Sequence, residues 1–241
     1  MEDSRPRFLD DVTVELVKHS ASDSDVLWAA RVSTAGEQSI EEIGKDPERS
    51  KGLINFLMRD RHGTPFEHNS MTFLVKAPIL VFREFQRHRV GWSYNEESGR
   101  YRELQPDFYV PGPERKLVQE GRPGKYVFVE GTEKQHKIAV EVMESAYRHS
   151  YEAYREMLEA GIAREVARAV LPVGLFSSMY ATCNARSLMH FLSLRTKSEQ
   201  AKVPSFPQRE IEMVAERMEA AWAGLMPLTH AAFVANGRVA P

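Results

Sequence analysis

Residues 87–101 have the sequence RHRVGWSYNEESGRY, and this stretch decides which fold and function are expected of the chain. It gathers three arginines, one histidine and two glutamates within fifteen residues. Guanidinium groups bind phosphate as forked donors, whereas side chains such as Asn95, Glu96 and Ser98 suit the edges of ribose and base. The composition predicts a nucleotide-binding loop, with a solvated charged loop as an equal alternative.

The whole chain is nearly neutral and has no apolar segment of unusual length. Its 241 residues can bury one hydrophobic core, and we expect a single domain spanning residues 1–241. The 32 Lys and Arg nearly balance the 34 Asp and Glu, so no overall field attracts nucleic acid or an anionic membrane surface. Residues 1–11 are charged and contain no apolar run of signal-peptide length, and no stretch approaches the length of a membrane-spanning helix. We expect a cytoplasmic protein without nucleic acid or membrane partners.

The single cysteine, Cys183, excludes an internal disulfide and fits a reducing compartment. It lies in a strand-like stretch without a neighbouring histidine that would lower its pKa. We therefore expect a small buried apolar residue rather than a nucleophile.

Local patterns predict an α+β protein with more helix than strand. Strands are expected at residues 12–16, 71–75 and 179–183. The first predicted helix has its N-cap at Asp23 or Ser24, the second begins at Asp46 and Pro47, and Pro78 opens a third. The long helix 132–160 ends at Gly161, and the short helix 164–170 is ended by Pro172. Asn184 caps the helix 185–194, and Ser205 with Pro207 starts the last long helix.

Three further expectations concern particular segments. The long helix should bury a stripe made of Ile138, Val142, Ala146, Ala153, Met157 and Leu158. The last long helix should face inward with Ile211, Val214 and Met218. Residues 111–131 hold several Pro and Gly breaks, which predicts an extended loop with a short strand at residues 126–129.

Several blocks of the sequence resemble one enzyme family. Arg87-His88-Arg89, followed after eight residues by Ser98-Gly99-Arg100-Tyr101, is similar to the signature of the flavin-dependent thymidylate synthases (ThyX). Further blocks resemble the family in the same order: residues 29–33 (AARVS), 62–68 (HGTPFEH), 164–168 (REVAR), 184–189 (NARSLM) and 194–195 (LR). The resemblance runs from about Val14 to the helix after Pro207, and the blocks together are far more specific than any one alone.

The resemblance implies both a fold and a reaction. The fold would be ThyX-like, a mixed sheet packed with long helices, assembled as a homotetramer with sites shared between subunits. The reaction would be reductive methylation of dUMP to dTMP, with 5,10-methylenetetrahydrofolate as one-carbon donor and NADPH-reduced FAD as electron source. A ThyX-like UMP/dUMP methylase of a nucleoside pathway stays open, because the choice depends on one 2′-hydroxyl.

The resemblance also assigns residues. It implies that FAD is bound by Ser33, His62, Thr64, Arg87, His88, Arg89, Glu96, Asn184, Ala185, Arg186 and His190. It implies that the nucleotide is bound by Glu84, Phe85, Gln86, Arg87, Glu96, Glu97, Ser98, Gly99, Arg100, Arg168 and Arg195. Arg195 would be catalytic, favouring ionisation at N3 of the pyrimidine, because a guanidinium stabilises negative charge without moving a proton.

The sequence departs from the family pattern at four places. The spacer before Ser98 carries an extra residue, placed at Gly91 or Trp92, so either Glu96 or Glu97 could make the binding contact. Glu84 stands where some members have glutamine, and His190 where some have asparagine. Residues 197–204 form an added segment just after Arg195.

Two other classes of function compete with this interpretation. A nucleic-acid-binding module could use the interleaved basic and aromatic side chains of residues 87–102, but the near-neutral charge disfavours it. A metal enzyme could use His62, Glu67, His68 and His88, but the spacing of a helical zinc motif is missing, and we expect no metal. No glycine-rich dinucleotide or P-loop motif is present.

Overall fold

The computed structural model describes residues 5–37, 43, 46–122 and 125–241. The elements in chain order are β1 (Arg7–Leu9), β2 (Thr13–Ser20), α1 (Asp23–Ala35), α2 (Pro47–Arg59), a 3₁₀ turn (Thr64–Glu67), β3 (Ser70–Pro78), α3 (Ile79–Phe85), β4 (Trp92–Glu96), β5 (Asp107–Tyr109), β6 (Val118–Arg122), β7 (Lys125–Val129), α4 (Glu133–Glu159), α5 (Arg164–Ala167), a second 3₁₀ turn (Arg168–Val170), β8 (Phe176–Cys183), α6 (Ala185–Arg195), α7 (Arg209–Leu225) and α8 (Pro227–Ala235). The predicted helix-rich α+β class is confirmed.

The strands form one larger sheet and two pairs. Four strands are hydrogen-bonded in the order β2-β3-β8-β4. Strands β1 and β5 pair in parallel, and β6 and β7 form an antiparallel hairpin. By contacts the chain divides into two compact units: Met1–Val12, Lys76–Arg83 and Glu96–Ser178 form the first, and Thr13–Val75, Glu84–Asn95 and Met179–Pro241 form the second.

The second unit is built around α6 and α7, which pack against each other. In α6 the side chains of Leu188, Met189, Phe191 and Leu192 are fully buried. The predicted inward residues of α7, Ile211, Val214 and Met218, are also fully buried. Burial of a large aliphatic or aromatic side chain is worth about 1.5–3 kcal/mol, so this contact fixes the position of α6.

Local capping signals position the helices of this unit. The Asn184 side chain accepts a hydrogen bond from the Ser187 amide at 2.9 Å, and Asp46 accepts from the Arg49 amide at 3.1 Å with Pro47 in the first turn. Both predicted caps are confirmed.

The predicted cap of α1 at Asp23 or Ser24 is wrong. Ser22 is the N-cap and forms a capping box with Asp25, in which the Ser22 amide donates to the Asp25 carboxylate at 2.6 Å. Asp23 instead accepts from the amides of Leu228 and Thr229, both at 2.9 Å, at the start of α8. A contact between residues 205 positions apart carries no local signal, and α8 itself was not predicted.

The predicted stripe of α4 is wrong in its N-terminal half. Ile138 and Val142 are 50% and 63% exposed, whereas Tyr147, Tyr151 and Tyr154 form the buried face. Tyr147 stacks on Phe108 with ring centroids 4.9 Å apart. Aromatic side chains bury more area than aliphatic ones, so the tyrosines decide the helix orientation. Met157 and Leu158, from the predicted stripe, are partly buried against this cluster.

The predicted extended loop at residues 111–131 is wrong where it contains the β6–β7 hairpin. The hairpin register pairs Val118 with Val129 and Gly121 with Tyr126, which confirms the short predicted strand at residues 126–129. Pro123 and Gly124 lie outside the described residues. No helix within the described ranges combines the length and apolar composition needed to cross a bilayer.

Candidate active site

The Arg-His-Arg loop begins where α3 ends, in the second unit. The Arg87 amide donates to the Glu84 carbonyl at 3.2 Å, and the His88 amide donates to the Phe85 carbonyl at 3.0 Å. The Tyr94 hydroxyl donates to the His88 carbonyl at 2.6 Å, so strand β4 fixes the backbone of the loop. The Phe85 ring is fully buried and stacks on Phe191 at 4.6 Å. Phe85 therefore supports the loop through its side chain, and a ligand could meet only its backbone.

A close contact with α6 fixes the other end of the loop. The Ser187 hydroxyl donates to the Val90 carbonyl at 2.9 Å. Gly91 follows with a φ of +69°, and a Cβ added there would lie 2.1 Å from the Ser187 hydroxyl oxygen. Only glycine supports both the positive φ and this close approach. The loop is thus fixed against the first turn of α6.

Arg195, the last residue of α6, lies against this loop. Its Nη1 donates to Glu84 Oε2 at 2.7 Å, and its Nε donates to His88 Nε2 at 3.1 Å. The Arg195 side chain is only 19% exposed. Because Nε2 of His88 accepts this bond, the imidazole is neutral. Burial, assisted by the charges of Arg195 and His190, lowers the pKa of His88 to about 4.

The carboxylate of Glu84 is held less firmly than its short contact suggests. Burial raises its pKa above the ordinary value, Arg195 opposes that effect, and Glu210 adds to it. The Arg195–Glu84 pair is therefore partly offset by the cost of removing the carboxylate from water. An incoming anion can compete with Glu84 for the guanidinium.

The predicted flavin residues on α6 lie beside the 3₁₀ turn that contains Thr64. Arg186 donates through Nη1 to Glu67 Oε1 and through Nε to the Pro241 carbonyl, both at 2.6 Å. Its guanidinium covers Gly63, where an added Cβ would lie 2.6 Å from Cζ. The Ala185 amide donates to Asn69 Oδ1 at 2.8 Å. The amides of Ala185 and Ser187 are thus already paired.

Three further predicted flavin residues are exposed in the same unit. The His62 ring lies 5.5 Å from the Phe56 ring, centroid to centroid. The Ser33 hydroxyl on α1 donates to the Ala30 carbonyl at 3.1 Å. His190, five residues before Arg195 on α6, has a pKa lowered by partial burial and by the nearby arginines Arg186 and Arg61.

Arg87 and Arg89 provide the open positive charge of the loop. Both side chains are exposed, and neither guanidinium has a hydrogen bond or ion pair to any residue that the structure describes. Exposed arginines on a backbone fixed at both ends form a donor set that suits a phosphate or pyrophosphate. Together with the α6 residues they fit a phosphate-bearing aromatic cofactor.

Part of the predicted nucleotide site lies in the first unit. The Ser98–Arg100 turn is closed by the Tyr101 amide, which donates to the Ser98 carbonyl at 3.1 Å. A Cβ at Gly99 would lie 3.3 Å from Cδ of Arg168, so the Arg168 stem lies along this turn. The Arg168 guanidinium is exposed, with no bonding partner among the described residues. The structure thus brings the Ser98–Arg100 turn and the Arg168 stem together within the first unit.

The other acidic and basic members of this loop are paired. Arg100 Nε lies 2.6 Å from Glu165 Oε2, and Arg102 Nε lies 3.1 Å from Glu97 Oε1. The Glu97 amide donates to the Ser178 carbonyl at 2.8 Å, and Glu96 is the last residue of β4. Glu97 is thus already engaged by Arg102, and the choice between Glu96 and Glu97 stays a prediction.

The predicted site residues are divided between the two compact units. Glu84–Arg89, Asn184–Arg186, His190 and Arg195 belong to the second unit, and Glu96–Arg100 and Arg168 belong to the first. Sequence reasoning missed Tyr94 and Ser187 as supports of the loop. Tyr94 stands inside the quoted stretch and could have been found there. Ser187 acts on Val90 across 97 positions, for which no local signal exists.

The structure also bears on nucleophile and metal chemistry. The Cys183 thiol is 2% exposed, and burial raises its pKa far above the ordinary value, so it is a core residue and not a nucleophile. In the parts of the chain that the structure describes, no group of three or more His, Cys, Asp or Glu could hold a metal ion.

Comparison with known proteins connects this geometry to one family. The family model described as thymidylate synthase complementing protein matches residues 15–228. The flavin-dependent thymidylate synthase of Streptomyces avermitilis is 80% identical over 240 residues, covering 100% of this chain and 98% of that protein. The enzyme of the same name from Streptomyces coelicolor is 76% identical over 240 residues, with the same coverage.

Two solved structures are similar in fold as well as sequence. The UMP/dUMP methylase PolB from Streptomyces cacaoi bound with 5-Br UMP has a TM-score of 0.90 and 56% identity, covering 98% of this chain and 100% of that one. PolB bound with 5-Br dUMP has a TM-score of 0.91 and 58% identity, covering 97% and 99%. The match extends over nearly the whole chain in sequence and in structure. This chain belongs to the thymidylate synthase complementing protein family, the family of the flavin-dependent thymidylate synthases.

Proposed function

We propose that this chain is a flavin-dependent thymidylate synthase. It converts dUMP to dTMP by reductive methylation, with 5,10-methylenetetrahydrofolate as one-carbon donor, NADPH as reductant and FAD as cofactor. One observation carries the proposal. The Arg195 guanidinium is held by Glu84 and by a neutral His88, which stands in the signature loop between the exposed residues Arg87 and Arg89. Relatives 80% and 76% identical over 240 residues carry the name of this activity.

FAD binding is assigned to the side chains around α6 and the signature loop. Arg87 and Arg89 would neutralise its phosphates, because their guanidinium groups are exposed and without bonding partners among the described residues. The remaining contacts would come from Ser33, His62, Thr64, His88, Glu96, Asn184, Ala185, Arg186 and His190. When bound, the cofactor supplies the electrons that complete the methyl group.

The nucleotide is assigned to a second, overlapping set of predicted residues. Ser98–Arg100 and Arg168 would meet its phosphate and ribose, since Arg168 extends along the Ser98–Arg100 turn. Glu84, Phe85, Gln86, Arg87, Glu96, Glu97 and Arg195 complete the predicted set. The sites would be shared between subunits of a homotetramer, and residues 1–241 would act as one functional domain.

Arg195 acts on the pyrimidine. An arginine stays protonated at neutral pH, so its guanidinium stabilises negative charge developing at N3 without a proton transfer of its own. Nucleotide binding would replace Glu84 as the anion beside Arg195, and the raised pKa of Glu84 makes that exchange easier. His88, neutral and accepting from Nε, keeps the guanidinium oriented during the exchange.

Methylation of UMP is the second candidate function. It is favoured by the PolB structures, whose protein is described as a UMP/dUMP methylase and is 56–58% identical to this chain. The thymidylate synthases named above are more similar to this chain, which favours dUMP. Both functions use the same arginines and differ in tolerance of one 2′-hydroxyl.

Tritium release tests reaction and substrate together. The purified protein is incubated with FAD, NADPH, 5,10-methylenetetrahydrofolate and either dUMP or UMP labelled at position 5. We expect release from dUMP and little from UMP. Equal release from both supports the methylase function, and absence of release from either contradicts both.

A further inference from the structure

The residue after Arg195 is held more tightly than a helix end requires. Thr196 is the C-cap of α6, and its amide donates to the Leu192 carbonyl at 3.0 Å. Its side chain is buried, with 5% of the residue exposed. The Thr196 hydroxyl donates to the Leu192 carbonyl at 2.8 Å and accepts from Nη2 of Arg238 at 2.7 Å. The backbone from which the Arg195 side chain leaves α6 is therefore fixed by a residue near the end of the chain.

Arg238 is itself fixed on several sides. Its two terminal nitrogens donate to the two carboxylate oxygens of Glu219 at 2.7 and 2.6 Å, and its guanidinium lies 5.1 Å from the Phe233 ring centroid. Arg238 is 7% exposed and has a φ of +56°, a left-handed backbone conformation that is unfavourable for a non-glycine residue. Such strain persists only where the surroundings determine the conformation.

The added segment 197–204 is attached to the same place. The Ser205 hydroxyl donates to the Thr196 carbonyl, and the Lys197 amide donates to Glu212 Oε1 at 3.1 Å. The Lys202 amide donates to the carbonyl of Gly237, the residue before Arg238, at 2.9 Å. A Cβ at Gly237 would lie 2.9 Å from Cβ of Lys202. Residues 197–204 and the turn at Gly237 and Arg238 therefore pack together next to Thr196.

We propose that Arg238 is a positioning residue for Arg195, acting through Thr196. Arg238, Glu219, Thr196 and Ser205, which we call the Arg238 network, fix the last turn of α6, so that Arg195 meets Glu84 and His88 at 2.7 and 3.1 Å. The inference rests on the proposed function for the role of Arg195. Buried ion pairs contribute little net stability but can define a single geometry, which is the role assigned to Glu219 and Arg238 here.

The test uses Thr196→Val, which removes the hydroxyl that accepts from Arg238 and keeps the shape of the side chain. We expect kcat to fall by roughly tenfold to a hundredfold, as for small misplacements of a catalytic group, while flavin content and the KM for dUMP stay within about twofold. Thr196→Ser, which keeps the hydroxyl, should restore most of kcat.

The control is His230→Gln. His230 Nε2 contacts Glu219 Oε1 at 2.9 Å but has no part in the contact between Arg238 and Thr196. We expect this variant to change thermal stability and leave kcat at the wild-type value. A merely structural role of the network would lower Tm in both variants without changing kcat of the folded, flavin-loaded protein.

Crystal structures of wild type and Thr196→Val provide a readout independent of turnover. We expect the Arg195 guanidinium in the variant to move by more than about 0.5 Å or to occupy two conformers. Unmoved contacts to Glu84 and His88 would overturn the inference, as would unchanged kcat in an active enzyme. If wild type shows no turnover, the proposed function fails, and the crystallographic comparison alone decides the role of Arg238.

Discussion

The protonation of one imidazole beside Arg195 determines how the guanidinium is presented. His88 accepts a hydrogen bond from Arg195 Nε at 3.1 Å, and its pKa is lowered to about 4, chiefly by burial. A protonated His88 would place a second positive charge against Arg195 and remove the acceptor. The neutral form therefore belongs to the native structure.

This arrangement predicts a stability change with pH. The folded pKa of about 4 lies below the ordinary value of 6.5, so the unfolded chain binds more protons between these values. Stability contributed by neutral His88 is complete above about pH 6.5 and is lost as pH falls toward 4. We expect the Tm of the flavin-free protein to fall more between about pH 7 and pH 5 for wild type than for His88→Gln. An equal fall in Tm for the two proteins would contradict the assignment of a neutral His88 in the folded state.

Removing the Arg195 side chain should separate catalysis from cofactor binding. We expect Arg195→Ala to retain flavin and to lose turnover by roughly a hundredfold or more, as when an oxyanion donor is removed. The measurement is kcat with saturating dUMP, beside absorbance of the bound flavin. Arg49→Ala, an exposed arginine on α2, serves as control and should match wild type. Turnover of Arg195→Ala near the wild-type level would refute the catalytic role.

Arg168 should act on nucleotide affinity. Its stem lies along the Ser98–Arg100 turn and its guanidinium is exposed, so Arg168→Ala removes one charge-assisted hydrogen bond, worth about 1.5–3 kcal/mol. We expect the Kd for dUMP to rise roughly tenfold to 150-fold, measured by titration calorimetry. Arg164→Ala, in the preceding helix α5, should leave the Kd nearly unchanged. A change in folate affinity alone would show that the nucleotide assignment is wrong.

At the scale of elements, the contact between the signature loop and α6 supports the predicted flavin site. Gly91 and Gly36 both have a φ of +69°, but only Gly91 faces a neighbour, with Ser187 Oγ 2.1 Å from an added Cβ. At Gly36 no atom of the described residues other than its chain neighbours lies within 4 Å of that position. Comparing an alanine substitution at each of the two glycines therefore separates the effect of steric collision from the effect of backbone strain.

We expect Gly91→Ala to displace the loop and lose most bound flavin, whereas Gly36→Ala keeps flavin and loses about 1 kcal/mol of stability through strain alone. Flavin stoichiometry after gel filtration and Tm are the measurements. Retention of flavin by Gly91→Ala at the level of Gly36→Ala would show that the contact does not shape the site.

Elements with local signals could be predicted from the sequence. Asp46 with Pro47 and Asn184 are caps whose donors lie within three residues, and both were predicted correctly. The site residues came from the resemblance, because their spacing alone left a solvated loop equally favoured. Contacts such as Asp23 with Thr229 and Ser187 with Val90 join distant positions and have no local pattern. The α4 face was misassigned because packing of Tyr147 on Phe108 outweighs the aliphatic periodicity.

At the scale of the whole molecule, the proposed homotetramer predicts that exposed apolar surface becomes covered. Ile138 and Val142 on α4 are 50% and 63% exposed and lie one turn apart. Adjacent exposed apolar side chains often mark subunit contacts. We expect light scattering to give the mass of four chains for wild type and a smaller mass for the Ile138→Glu, Val142→Glu double variant. Glu133→Lys, a charge change at an exposed position on the opposite side of the same helix, should remain tetrameric. A monomeric wild type would contradict the proposal.

A crystal structure of the protein with FAD and dUMP shows whether Arg195 stabilises a pyrimidine nucleotide held beside a flavin. We expect the Arg195 guanidinium to leave Glu84 and to donate to the pyrimidine at N3 or a neighbouring oxygen. Arg168 should contact the nucleotide, and Arg87 should contact the ligands of the same site. A complex in which dUMP binds while Arg195 stays on Glu84, out of contact with the pyrimidine, would contradict this expectation.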